Sequence, residues 1–284
     1  MTLKGKQVVV TGGTDGIGKV TARELARLGA TVTIIGRNAA KGDSVVRELR
    51  GLCKSEDIHF IQADLSLRKG VNQVAAQLKE RMKQLDVLVN NAGAMFQKRG
   101  VTADGIEQTL ALNHLGYFSL TALLMDLLRA AGSARIVSVA SAAHVGAKLD
   151  MQDLQNEKQY SGFRVYGQSK LANIYFTYEL ARRLEGSKIT ANCLHPGFVA
   201  SAFGDNNGGW VKLLIGLAKS IAAISEDNGA KTSIYLASSP DVAKVNGKYF
   251  DKCKAVNSSP VSYDVDQAKY LWERSESLCS LTFK

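Results

Sequence analysis

The 284-residue chain carries 45% hydrophobic and 22% charged residues, a globular composition in which no apolar run approaches a membrane span. Its net charge of +10 is spread along the chain, with no dense Lys/Arg tract and no aromatic interleaving, so a solvated basic surface is expected and nucleic acid is not. The four histidines and four cysteines stand singly, which excludes a ligand-spaced metal site and a disulfide framework and leaves reduced thiols.

The opening MTLKGKQVVVTGG runs straight into a strand-like segment without the zones of a signal peptide, so a cytoplasmic protein is expected, with peripheral attachment to a membrane as the alternative. QVVVT is then followed by TGGTDGIGK, Thr11 to Lys19, which opens a helix. Gly12, Gly16 and Gly18 allow a tight turn and a close backbone approach, and the helix start offers free N–H groups to a pyrophosphate. A glycine triplet between a strand and a helix is the context a dinucleotide requires. Thr14, Asp15 and Ile17 lie in the same loop and are expected to line the cofactor, with the Asp15 carboxylate tempering any preference for phosphate.

The second strand, TVTIIG, ends in Gly36-Arg37-Asn38. An NAD site usually carries an acidic residue there to hold the ribose 2′-hydroxyl. Arg37 cannot accept that hydrogen bond, but it can pair with a 2′-phosphate, which favours NADP(H). IHFIQ, LDVLVN, RIVSVA and ITANCL complete a set of short β-branched runs separated by amphipathic helical stretches. This alternation predicts one α/β domain over residues 1–284, a doubly wound parallel sheet with helices on both faces. Within YGQSK, Tyr166 and Lys170 fall one helical turn apart, where a cation would favour the phenolate.

With the glycine loop in place, the chain resembles the short-chain dehydrogenase/reductase family nearly end to end. Asp64-Leu65 follows the third strand, where the family contacts adenine, and Asn90-Asn91-Ala92-Gly93 matches its N-N-A-G. Asn113 in LALNHLG and Ser141 at the end of RIVSVAS stand at its catalytic asparagine and serine, Tyr166 and Lys170 form its Y-x-x-x-K, and Pro196-Gly197 its P-G. The long insert between Ser141 and Tyr166, the YGQSKLAN and HPGFV segments and the KYFDKC tail resemble the retinol dehydrogenase-like branch. Ser138 and Ala140 depart from it, standing where the branch commonly has Asn and Ser.

The resemblance implies an NADP(H)-dependent oxidoreductase that interconverts a carbonyl and an alcohol. Tyr166 would move the proton, with Lys170 and the oxidised nicotinamide lowering its pKa. Ser141 would hold the substrate oxygen, and Asn113 a backbone kink and a relay water. Asn91, Ala92, Gly93, Pro196, Gly197, Val199 and Ser201 would join the loop residues around the cofactor. His144 and His195 are expected to be structural, His144 being the alternative proton source. The segment at about 200–226 would form a lid, with Trp210 to Ile224 as a helix whose apolar face lines a pocket for a hydrophobic aldehyde or ketone. The alternatives are a reductase of a small polar or polyketide-like carbonyl and a catalytically silent NADP-binding sensor or scaffold. A homo-oligomer through the helices holding Asn113 and Tyr166 is the family's common assembly.

Overall fold

The computed structural model of the chain describes residues 2–197 and 225–283. Strands β1 (Gln7–Thr11), β2 (Thr31–Gly36), β3 (Ile58–Gln62), β4 (Val87–Asn90), β5 (Ala134–Val139) and β6 (Ile189–His195) match the six apolar runs, with β4 two residues shorter than its run. Two further strands, β7 (Tyr249–Asp251) and β8 (Lys254–Val256), complete an eight-stranded sheet in the order β3-β2-β1-β4-β5-β6-β7-β8. Every neighbouring pair is parallel except β7 and β8, so the expected all-parallel sheet carries an antiparallel edge.

Helices α1 (Gly16–Arg27) and α2 (Ala39–Cys53) pack on one face, where Val8, Val10, Val32, Ile34, Val87 and Val137 meet Leu25 and Leu49. The opposite face, through Val9, Leu88 and Ile136, receives α3 (Arg68–Arg81) and the helices that follow β4. Consecutive strand residues thus feed two separate cores, which is why the runs are apolar throughout rather than alternating. The strand order reverses between β1 and β4. A doubly wound sheet opens its ligand crevice at the carboxyl ends of such a pair.

After β4 the chain forms α4 (Gln108–Leu110), a π-helical turn at Ala111–Leu115 and α5 (Gly116–Leu123), then α6 (Met125–Ala130). The long α7 (Gly162–Arg183) is buried continuously from Gly167 to Ala181. α8 (Glu226–Ser238) sits on α1, and α9 (Val265–Cys279) lies along α7, with Trp272 stacked on Phe176 at 5.9 Å between ring centroids. All four cysteines are free. Among the described residues no helix is long and apolar enough to cross a membrane. The expected lid falls outside the described residues apart from Ser225 and Glu226, which open α8.

Candidate active site

The glycine loop is clamped onto the end of β4. Thr11 Oγ1 accepts hydrogen bonds from the backbone N–H groups of Asn91 (2.8 Å) and Ala92 (2.9 Å), and Asn91 Nδ2 donates to Thr11 O (2.9 Å) and Gly12 O (3.3 Å). Gly12 has a φ of +65°, and a Cβ added at Gly18 would lie 2.2 Å from Gly12 O. Only glycine allows this turn to fold so tightly against the helix start, and the cradle it leaves suits a group that approaches the backbone closely. Thr14 packs on Gly36, and Ile17 enters α1. Asp15 caps α1, accepting from Gly16 N–H at 3.0 Å, and forms an ion pair with Lys41. Its charge is therefore shared with a cation that spacing alone did not point to.

Arg37 is exposed directly beyond β2, and its carbonyl accepts from Gln62 Nε2 at 3.1 Å. Asn38 caps α2 through a bond from Lys41 N–H at 2.9 Å. The end of β2 thus presents a guanidinium with no carboxylate in the position a ribose hydroxyl would need. Asp64 follows β3 and holds its own turn, accepting from Ser66 N–H (2.9 Å) and Ser66 Oγ (2.7 Å), while Leu65 is buried in the core.

On the other side of the crevice the four candidate catalytic residues converge. Asn113 lies in the π-helical turn and is fully buried. Its amide donates to Ala94 O and Ser169 Oγ and accepts from Ala94 N–H, each at 2.9 Å. The amide therefore pins the chain leaving β4 to α7, with every group satisfied. Ser169, which the sequence reading missed, in turn donates to Tyr166 O at 2.7 Å. A Cβ built at Gly93 would stand 3.3 Å from Asn113 Oδ1 and 3.4 Å from Lys170 Nζ, so these three positions share one wall.

Ser141 caps a 3-10 turn at Ala142–His144, and its hydroxyl lies close enough to the Tyr166 phenol to pull that phenol's pKa down. Lys170 Nζ lies 5.5 Å from the centre of the Tyr166 ring and donates to Val139 O at 2.9 Å. Lys170 is only 3% exposed. Burial lowers its pKa to about 7. Burial likewise pushes the Tyr166 phenol up to about 12, and the Ser141 hydroxyl pulls against it. Desolvation dominates at both groups, acting against the charged form of each, and the Tyr166 value carries no lowering from Lys170.

Both histidines near the site are engaged. His195 Nδ1 accepts from Ala142 N–H (3.3 Å) and Gly197 N–H (3.2 Å), which places Gly197 and Pro196 beside the Ser141 turn. His144 is hydrogen-bonded at both ring nitrogens, to Ser141 O (2.6 Å) and Ser259 N (3.0 Å). Val199 and Ser201 lie outside the described residues.

The crevice between a dinucleotide-type cradle and a Ser–Tyr–Lys–Asn cluster defines a class of nicotinamide-dependent oxidoreductases. The family description "short chain dehydrogenase" matches residues 6–211, and the chain belongs to that family. Mouse (Mus musculus) retinol dehydrogenase 12 is 39% identical over 282 residues, covering 99% of this chain and 89% of that protein. Human (Homo sapiens) polyprenol dehydrogenase is 40% identical over 280 residues, covering 96% and 84%. Among solved structures, an uncharacterized protein from Mycobacterium Paratuberculosis superposes with a TM-score of 0.81 at 32% identity, covering 100% of this chain and 96% of that one. Pseudomonas aeruginosa RhlG, in its NADP active-site complex, gives 0.70 at 29% identity, covering 88% and 95%. The chain is thus a carbonyl/alcohol oxidoreductase of the retinol dehydrogenase-like kind, with a nicotinamide cofactor.

Proposed function

We propose that the protein is an NADP(H)-dependent reductase or dehydrogenase of a lipophilic aldehyde, ketone or alcohol. The convergence of Ser141, Tyr166, Lys170 and Asn113 on one wall of the crevice carries the reading. The glycine loop, Asn91 and Arg37 would hold the dinucleotide, with Asp64 toward its adenine and Lys170 toward its nicotinamide ribose. The bound cofactor supplies the hydride, or accepts it in the reverse direction. Ser141 donates a hydrogen bond to the substrate oxygen, where negative charge develops as the carbonyl is reduced. Tyr166 gives that oxygen its proton, and in the oxidative direction removes it. Asn113 keeps the wall behind them in register.

Arg37 supports NADP(H), as does the NADP-bound relative. A charge-assisted contact to a 2′-phosphate is worth about 1.5–3 kcal/mol. The expected result is a preference for NADPH over NADH of about one to two orders of magnitude in kcat/KM, reduced or reversed in Arg37→Asp. Equal kcat/KM for the two cofactors in the unmutated protein would defeat the assignment.

A lipophilic substrate is supported by the two relatives' names and by two exposed side chains. Phe163, 70% exposed, lies one turn before Tyr166, and Val145, 67% exposed, follows the Ser141 turn. Across straight-chain aldehydes from butanal to dodecanal, kcat/KM should rise by up to about fourfold per methylene, from ~0.8 kcal/mol for each one buried. Phe163→Ser should flatten the trend more than it slows butanal. A flat or falling series in the unmutated enzyme would favour a small polar carbonyl instead.

A further inference from the structure

The turn that precedes α9 is tied into the active site by a chain of hydrogen bonds whose direction can be assigned. The Ser259 backbone N–H can only donate, so His144 Nε2 accepts it, at 3.0 Å. The ring proton is then on Nδ1, which donates to Ser141 O at 2.6 Å. On the far side, Ser262 Oγ donates to Ser259 O at 2.6 Å, which leaves Ser258 Oγ to donate to Ser262 Oγ, also at 2.6 Å. Ser258 Oγ can then only accept from the Tyr178 hydroxyl, at 2.8 Å. The Tyr175 hydroxyl donates to Val261 O at 2.8 Å, a second tie between the turn and α7. Tyr175, Tyr178 and Tyr166 all belong to α7, so the path leaves that helix, crosses the turn and ends at Ser141, whose side chain acts on the Tyr166 phenol.

We infer that the Ser258–Tyr263 turn is part of the catalytic apparatus, with Ser259 and His144 as positioning residues that hold Ser141 in register with Tyr166. This rests on the reading of Ser141 given above. His144 is 2% exposed and packs on the Tyr249 ring at 5.1 Å, so the imidazole has little freedom to swing. The Ser141 carbonyl it grips belongs to the residue whose hydroxyl meets the phenol. A shift of the carbonyl therefore moves the hydroxyl. Misplacing a reacting group by about 1 Å costs on the order of 100-fold in rate.

Ser259→Pro breaks the tether: the φ of −60° suits proline and the carbonyl is kept, while the N–H and the hydroxyl are lost and the ring Cδ takes the place of the proton that faced His144. The expected result is a loss in kcat of about 10- to 100-fold with the KM for NADPH unchanged, measured with the aldehyde of highest turnover. His144→Phe should match it, and His144→Gln, which retains a donor and an acceptor, should recover part of the loss. In a Ser141→Ala background neither Ser259→Pro nor His144→Phe should lower kcat further, whereas general loosening of the fold would multiply the losses. Multiplied losses, or an unchanged kcat in Ser259→Pro beside a crippled Ser141→Ala, would overturn the tether alone. An unimpaired Ser141→Ala would overturn the reading of Ser141 and the tether with it.

Discussion

Tyr166→Phe is expected to lower kcat by about 10²–10⁴-fold, the range of a positioned general acid, while NADPH affinity stays within a factor of about two. The substitution keeps the ring and its packing and removes only the hydroxyl that Ser141 contacts. Burial holds the phenol at about 12, so it is protonated throughout the neutral range and ready to donate in the reductive direction. In the oxidative direction the phenolate is needed, so the rate should rise with pH toward the phenol's pKa in the cofactor complex. The His144 imidazole is engaged at both ring nitrogens and His195 at one. His144 spends its Nδ1 proton on Ser141 O, and His195 Nδ1 accepts two backbone N–H groups. Steady-state kinetics with NADPH would decide it. A loss of less than about tenfold would put the proton donor elsewhere, and the Lys170 ammonium would be the next group to remove.

Lys170→Met is expected to abolish most turnover, weaken NADPH binding and yet stabilise the protein against urea. Lys170 donates to one carbonyl and faces the rings of Tyr166 and Tyr117, with no ion pair among the described residues. An ammonium buried on those terms is costly, and methionine fills the same space without the charge. Its pKa falls from 10.5 in the exposed chain to about 7 in the fold. Below pH 7 both states carry the proton and the folded protein bears the whole penalty. Between about 7 and 10.5 the unfolded chain binds more protons than the folded one, so stability must rise with pH.

The rise from this group is at most about 1.4 kcal/mol per pH unit. Cysteine and tyrosine ionisation in the unfolded chain opposes it at higher pH, so the clean window is about pH 7 to 8.5. Urea midpoints measured there should climb more steeply in the unmutated protein than in Lys170→Met. Parallel slopes would mean that Lys170 is solvated in the fold, and a less stable methionine variant would mean that its charge has a partner.

Much of the fold was legible because it is encoded over short spans. The six β-branched runs, the glycines after β1 and the one-turn spacing of Tyr166 and Lys170 each report geometry within a few residues. The edge hairpin was not legible. Its strands are three residues long, too short to show a period, and Lys252 and Cys253 adopt φ values of 48° and 63° without the Asn-Gly signal such a turn usually carries. The role of α9 was hidden for a different reason. A helix that covers another helix looks the same in sequence as one that covers a sheet.

The sequence by itself determined the α/β alternation, the dinucleotide loop and which residues hold the chemical groups, because helix and strand periods, glycine conformations and i, i+4 neighbours are local properties of the chain. Only the tertiary structure decided what those groups experience. Ser141 meets Tyr166 across two elements, and His144 reaches Ser259 over 115 residues of chain. The Lys170 pKa of about 7 and the Tyr166 value of about 12 belong to neither residue alone. They come from the exclusion of water when α5, α7 and the end of β5 close together, and no local pattern of residues specifies a dielectric.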